Sequence, residues 1–258
     1  MIPYFGLTTV PLGPITLSVW GAMAAAGFLI GTIVAARRAR AVGLDPKIVW
    51  DAAGMIVLSS IIGSRLFEIF FYRPDYFWEH PWDIVRIWDG GMSSTGGIIG
   101  AGLFVYWFIR RHRLPALEWL DVFAFAAPLG LMFGRIGCYF INDHPGKFTS
   151  LFLGVNYPDG IRHDGGLEMA LADGAIFALF LFLSRKKLSA GAVALLFIAL
   201  KGLARFALDF NRAADIALPE ARYFGLTPSQ YIGMIALVIL AVVAVQWRIA
   251  RGTTRVKN

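Results

Sequence analysis

Charge is scarce in this chain. Only 16% of its 258 residues are Asp, Glu, Lys or Arg, against about a quarter in ordinary globular proteins. Hydrophobic residues make up 57% and the mean hydropathy is +0.63, which excludes a water-soluble domain. Cysteine is scarcer still. Cys138 stands alone, which excludes an internal disulfide framework and a Cys-x-x-Cys metal site. The four histidines, His80, His112, His144 and His163, lack zinc-ligand spacing, so neither metal nor cofactor is expected. There is no P-loop and no dinucleotide fingerprint. Nor is there a basic region before the first apolar run; Arg37, Arg38 and Arg40 follow it instead. That order is expected of a permanent anchor and not of a cleaved signal peptide.

What is present is a series of apolar runs. A membrane helix needs ~20 mostly apolar residues, and seven candidates occur, at about 15–36, 49–72, 93–110, 117–140, 167–184, 189–210 and 229–250. The expected fold is all-α, a single integral membrane domain over 1–258. Long segments at 73–92, 141–166 and 211–228 would form a small head on one side.

Basic residues orient the spans. Fourteen lie in the loops after the first, third and fifth helices and in the C-terminal tail; six, Arg73, Arg86, Lys147, Arg162, Arg212 and Arg222, lie in the opposite loops. The positive-inside rule then puts the N-terminus outside and the C-terminus in the cytoplasm. This asymmetry accounts for the net charge of +7 without a nucleic-acid partner.

Four basic residues, Arg65, Arg135, Lys201 and Arg205, fall within the expected helices. Buried charge in a bilayer needs a partner or a task. Arg65, Arg135 and Arg205 each stand a few residues before the outer end of a span, at similar depth given a rise of ~1.5 Å per residue. Three arginines at one level suggest an anion site near the outer-leaflet phosphates. Arginines at helix ends also snorkel to anchor a helix, and that reading stands beside the first. Acids lie nearby at helical spacing: Glu68 three residues from Arg65, and Asp209 four from Arg205. Lys201, Arg205, Asp209 and Arg212 would line one stripe, with Glu168 and Asp173 at a similar level on the fifth helix.

Two further stretches stand out. Gly90-Gly91-Met92-Ser93-Ser94-Thr95-Gly96-Gly97 leads into the third helix, where glycines permit either close approach to an anion at a helix N-terminus or tight helix packing. Gly134-Arg135-Ile136-Gly137-Cys138 ends the fourth helix and runs into Asn142-Asp143-His144-Pro145-Gly146, a turn-forming cluster rich in proton-handling groups.

Taken together, Gly-Gly-Met-Ser before Gly96-Gly97, Gly134-Arg135-Ile136-Gly137 through Gly146, and Arg205-Phe206 with Asp209-Phe210 and Arg212 resemble the bacterial prolipoprotein diacylglyceryl transferases. Pro81 to Trp88 and Gly63-Ser64-Arg65-Leu66 fit the same pattern, and the resemblance covers roughly 10–250. It implies a plasma-membrane enzyme that moves a diacylglyceryl group from phosphatidylglycerol to the lipobox cysteine of a prolipoprotein signal peptide, releasing glycerol phosphate. The chain departs from the family pattern at Thr95 (usually His), Cys138 (usually Asn), Trp20 (usually Tyr), Asp209 (usually Glu) and around His163 to Glu168.

Such a reaction needs cations for a departing phosphate and a thiolate nucleophile. Arg135 and Arg205 are assigned to the phosphate because a guanidinium fork matches it, with Asp209 orienting Arg205 and Arg65 a weaker candidate. Asp143, His144 and His163 are the candidate bases; Asp143 and His144 could equally cap the fourth helix and shape its turn. Thr95, Gly96, Gly97, Gly134, Gly137, Gly146, Arg212 and His163 are the expected substrate contacts. Two other functions stay open: a transporter, which would spread charge through the membrane depth, and a relative that binds lipid or lipoprotein without catalysis.

Overall fold

The computed structural model describes residues 2–13, 15–87, 90–216 and 220–255; Trp88, noted above, and Lys257, one of the basic residues of the C-terminal tail, lie outside the described residues. The protein is mostly helical. Its long helices are α1 (Val19–Ala41), α2 (Lys47–Phe67), α4 (Ser94–Arg111), α5 (Ala116–Ile141), α6 (Gly165–Leu183), α7 (Ala192–Leu208) and α8 (Pro228–Arg255), and a short α3 (Pro74–Glu79) follows α2. These seven long helices stand where seven apolar runs are read in the sequence.

Among the described residues, four segments are long and apolar enough to cross a membrane: Val19–Ala41, Lys47–Tyr72, Ala116–Ile141 and Gly165–Leu183. Leu29, Ile62, Leu103, Trp107, Phe182 and Leu203 are all more than half exposed or close to it. A soluble monomer does not carry so large an apolar belt, so the protein is a membrane protein.

Helix α5 is the centre, packed against α1, α4, α6 and α7. Near the end rich in basic residues, Ala39, Val49, Ile109, Trp119 and Val122 form one buried cluster across α1, α2, α4 and α5. Phe125, Ile176, Phe180 and Val193 join α5 to α6 and α7. The opposite end carries the polar groups.

The all-α expectation needs correction. A hairpin of β1 (Thr9–Leu12) and β2 (Ile15–Ser18) precedes α1, and β3 (Pro145–Phe148), β4 (Val155–Tyr157) and β5 (Gly160–Asp164) form a three-stranded antiparallel sheet in the order β3-β5-β4. Strands of three to five residues are too short for alternation to show, although Pro158-Asp159-Gly160 is a turn signal at which the chain reverses between Tyr157 and Gly160. The hairpin also delays α1 to Val19, where the Ser18 side chain accepts from Gly21 N at 3.2 Å.

Helices α2 and α4 meet along a glycine seam. A Cβ on Gly63 would lie 2.5 Å from the Gly96 carbonyl oxygen and 2.8 Å from Gly100 Cα, and one on Gly97 would lie 2.7 Å from Ser64 Oγ. Small residues let two backbones approach where no hydrophobic effect drives them together. Gly63→Val should therefore lower the unfolding midpoint in detergent by the equivalent of about 1–3 kcal/mol or more. Gly102→Ala, whose added Cβ meets nothing within 4 Å, should leave that midpoint unchanged.

Candidate active site

The last turn of α7 delivers Arg205, and a 3₁₀ turn over Asp209–Asn211 follows at once. Arg205 and Asp209 are buried. Asp209 Oδ2 is 3.3 Å from Arg205 Nε and accepts from Thr227 Oγ1 at 2.8 Å, while Oδ1 accepts from Arg212 Nε at 3.0 Å. One carboxylate thus holds two guanidinium groups. Arg212 also pairs with Glu220. Arg205 Nη2 donates to Ser229 Oγ at 3.1 Å. Among the described residues its Nε and Nη1 have no hydrogen-bond partner although both are buried; Nε is 3.3 Å from Asp209 Oδ2, close enough for attraction without a hydrogen bond. Buried donors without acceptors are costly. They border a narrow cleft whose wall includes Glu168, Met169, Asp209, Asn211 and Arg212.

Ser229 is a junction that sequence reasoning missed. Its Oγ is 2.6 Å from Thr95 Oγ1 and 2.7 Å from the Tyr72 hydroxyl. Residues from the end of α2's extension, the start of α4, the end of α7 and the start of α8 therefore meet at one hydroxyl. A signal was present: Thr227-Pro228-Ser229-Gln230 is a capping box with proline at the first helical position. Thr227 N donates to Gln230 Oε1 at 2.9 Å and Gln230 N to Thr227 Oγ1 at 3.2 Å.

Arg135, buried in the last turns of α5, donates to Ser94 at the start of α4; among the described residues it makes no ion pair. Its helix ends at Asn142, whose left-handed backbone (φ 52°) turns the chain back. The Asn142 side chain accepts from Phe5 N and Gly6 N at 3.1 and 2.8 Å and so ties down the N-terminal segment. The reversal brings Asp143 and His144 back beside Cys138, with one potential ligand atom from each residue within 4.8 Å of the other two. Sequence spacing concealed this cluster, because it depends on the αL turn and not on a ligand motif.

Electrostatics set the two turn residues apart. Burial pushes the Asp143 carboxyl up to about 6, against the pull of Arg135. Burial, then repulsion by Arg212, Arg135 and Arg205, holds the His144 imidazole well below its ordinary value. His163 is committed elsewhere, its Nδ1 2.5 Å from Glu168 Oε1, and Glu168 Oε2 accepts from Asn211 Nδ2 at 3.1 Å.

Other expected contacts are structural. Arg65 is not placed to bind phosphate. Its Nε donates to Ile84 O at 3.0 Å, its Nη1 to Gly90 O and Gly91 O, and its Nη2 to Asp83 O and Arg86 O. All five N–H groups of a guanidinium are thereby used, and the arginine clamps the segment after α3. Gly90 and Gly91 supply the positive φ, 85° and 66°, that aims their carbonyls at it. Gly96 and Gly97 belong to the α2–α4 seam, and a Cβ on Gly137 would lie 2.9 Å from Met23 Cβ. Gly146 is hemmed in by His163 and the Asn211 carbonyl, whereas Gly134 has nothing within 4 Å of an added Cβ. Lys201 does not join the arginine group; its Nζ is 2.5 and 2.7 Å from the two oxygens of Asp173 on α6.

Comparison with known proteins identifies the family. The family model described as prolipoprotein diacylglyceryl transferase matches residues 8–247. A protein named phosphatidylglycerol–prolipoprotein diacylglyceryl transferase from Nitratidesulfovibrio vulgaris is 35% identical over 240 residues, covering 89% of this chain and 90% of its own length. A protein of the same name from Burkholderia thailandensis is 31% identical over 288 aligned positions, covering 97% of each chain. The chain belongs to the prolipoprotein diacylglyceryl transferase family.

Proposed function

We propose that this protein transfers a diacylglyceryl group from phosphatidylglycerol to the lipobox cysteine thiol of an exported prolipoprotein. The observation that carries the reading is Arg205, a buried guanidinium two of whose nitrogens have no hydrogen-bond partner among the described residues, beside Arg212 in a cleft. A phosphodiester oxygen supplies the acceptors those donors lack. In this reading Arg135, buried and held by Ser94, is the second cation.

In this reading the thiolate sulfur bonds to the glycerol carbon that carries the phosphate ester. The carbon–oxygen bond breaks and its electron pair leaves with glycerol phosphate. Arg135 and Arg205 neutralise the charge that grows on the departing phosphate, and Asp209 holds Arg205 and Arg212 in place. Preorganised cations in a water-poor site contribute several kcal/mol to such a transition state. Asp143 and His144, at the turn beyond Arg135, take the thiol proton in this reading. Thr95 stands where the family pattern has histidine, but its hydroxyl is engaged by Ser229 and serves the arginine network.

The whole chain acts as one integral membrane domain in this proposal. All seven long helices span the bacterial inner membrane, with the N-terminus outside and the C-terminus in the cytoplasm. The arginine cluster then faces the outer leaflet, where phosphatidylglycerol and an exported signal peptide both present their headgroup ends. Two basic walls of the cleft and an ion-paired Lys201 leave no graded row of charges through the membrane, which favours transferase over transporter.

Labelled diacylglyceryl transfer from phosphatidylglycerol vesicles to a lipobox peptide tests the chemistry. Arg135→Ala and Arg205→Ala should each slow it by on the order of 10²–10³-fold, with the fold retained. Equal rates in wild type and both variants would remove the phosphate site. Topology has a separate test, aided by the burial of the single cysteine. An impermeant maleimide should label Phe152→Cys in intact spheroplasts and Leu188→Cys only after permeabilisation; the reverse pattern would invert the orientation.

A further inference from the structure

We propose that Glu168 and Asn211 form a subsite for the free glycerol of the phosphatidylglycerol headgroup and select hydroxylated headgroups over those without hydroxyls. This rests on the transferase reading and concerns the part of the substrate that the arginines do not recognise. Both residues line the cleft that Arg205 borders.

Two chain reversals build this wall. Asp164 ends β5 and caps α6, its Oδ1 accepting from Leu167 N at 2.7 Å. That cap sets Glu168 in the first turn of α6 and His163 just before the helix, and Glu168 Oε1 lies 2.5 Å from His163 Nδ1 across it. Asn211 closes the 3₁₀ turn after α7, and its Nδ2 donates to Glu168 Oε2 at 3.1 Å. Gly146 lets the three elements meet, since a Cβ there would lie 2.6 Å from His163 Cβ and 2.7 Å from the Asn211 carbonyl oxygen. His163 is thus a positioning residue. The Glu168 carboxylate is held from both sides, and its side chain is 12% exposed.

The bonding capacity left over suits a hydroxyl. An ionised carboxylate has about four lone-pair sites, and an amide has two N–H donors and an acceptor oxygen. Among the described residues, His163 and Asn211 use one site on each Glu168 oxygen, and the Asn211 amide makes no other side-chain hydrogen bond. The wall therefore offers acceptors and a donor together. A hydroxyl both donates and accepts; an ammonium only donates, and an alkyl group does neither. Sites built to hydrogen-bond a substrate hydroxyl reject analogues that lack it by large factors, because their own polar groups are left unpaired. Arg205 and Arg212 in the same cleft also disfavour a cationic headgroup. In phosphatidylglycerol the free glycerol is bonded directly to the phosphate, so a phosphate on the Arg205 donors places its hydroxyls within the same cleft. Glu168 belongs to the stretch where the chain departs from the family pattern, so this selection is read from the chain's own residues.

Exchanging the headgroup tests it. Full-length protein in detergent is assayed for transfer to a lipobox peptide from phosphatidylglycerol and from phosphatidylpropanol, which keeps the phosphodiester and three carbons but has no headgroup hydroxyl. Wild type should prefer phosphatidylglycerol in kcat/KM by roughly 10²-fold. Glu168→Gln and Asn211→Ala should each cut that preference by roughly tenfold, by slowing transfer from phosphatidylglycerol selectively. A loss that falls equally on both lipids would mean that the two residues only support the fold, and a wild type indifferent to the hydroxyls would reject the subsite; either result leaves the transferase reading intact. Binding separates the two failures. In titration calorimetry, wild type should bind glycerol phosphate roughly tenfold more tightly than propyl phosphate, and Glu168→Gln should remove the difference. That difference in a protein that transfers from neither lipid would reject the transferase reading and keep the subsite. Its absence in such a protein would reject both.

Discussion

Asp209 is a buried carboxylate shared by two guanidinium groups, and the polar end of the helix bundle is assembled around it. Arg205 and Arg212 both lean on it, and Thr227 at the start of α8 donates to it. Removing an ion from water costs several kcal/mol even after relaxation, so the cluster persists only where the opposite charges stay in register. That register ties the end of α7 to the start of α8. Through Ser229 it extends to Tyr72 and Thr95. The two arginines are thus held in fixed positions, as the proposed phosphate site requires if their charge is to act on a reaction instead of being spent on rearrangement.

The four basic residues embedded in helices meet the same cost in different ways. Arg65 is satisfied by backbone carbonyls and serves as a clamp. Lys201 is neutralised inside the bundle by Asp173. Arg205 is only partly satisfied, and Arg135 has a serine as its partner. The proposed phosphate site rests on that inequality. A cation whose donors are all occupied supports the fold; a cation with donors left over is available to a ligand.

Much of this organisation is legible in residues. The apolar runs mark all seven long helices, because a helix in contact with lipid must be apolar over most of its length. Arg135, Arg205, Asp209 and Arg212 stand out as charges where charge is costly. The short strands are not legible, since three to five residues carry no usable periodicity. The glycines of the α2–α4 seam were readable in two ways, and only the proximity of Gly63, Ser64 and Gly96 decides for packing. Ser229 looked like an ordinary helix-start serine, and its role depends on three partners distant in sequence.

Membrane residence, the order of the long helices and the placing of charge within them were therefore legible in the sequence alone, because hydropathy and the cost of buried charge act locally. Tertiary structure decided which arginine is a clamp and which faces the cleft, that Lys201 pairs with Asp173, and that Asn142 folds Asp143 and His144 back onto Cys138. Those outcomes depend on how many donors find acceptors after the helices pack. That count is a property of the assembled bundle and of no single segment.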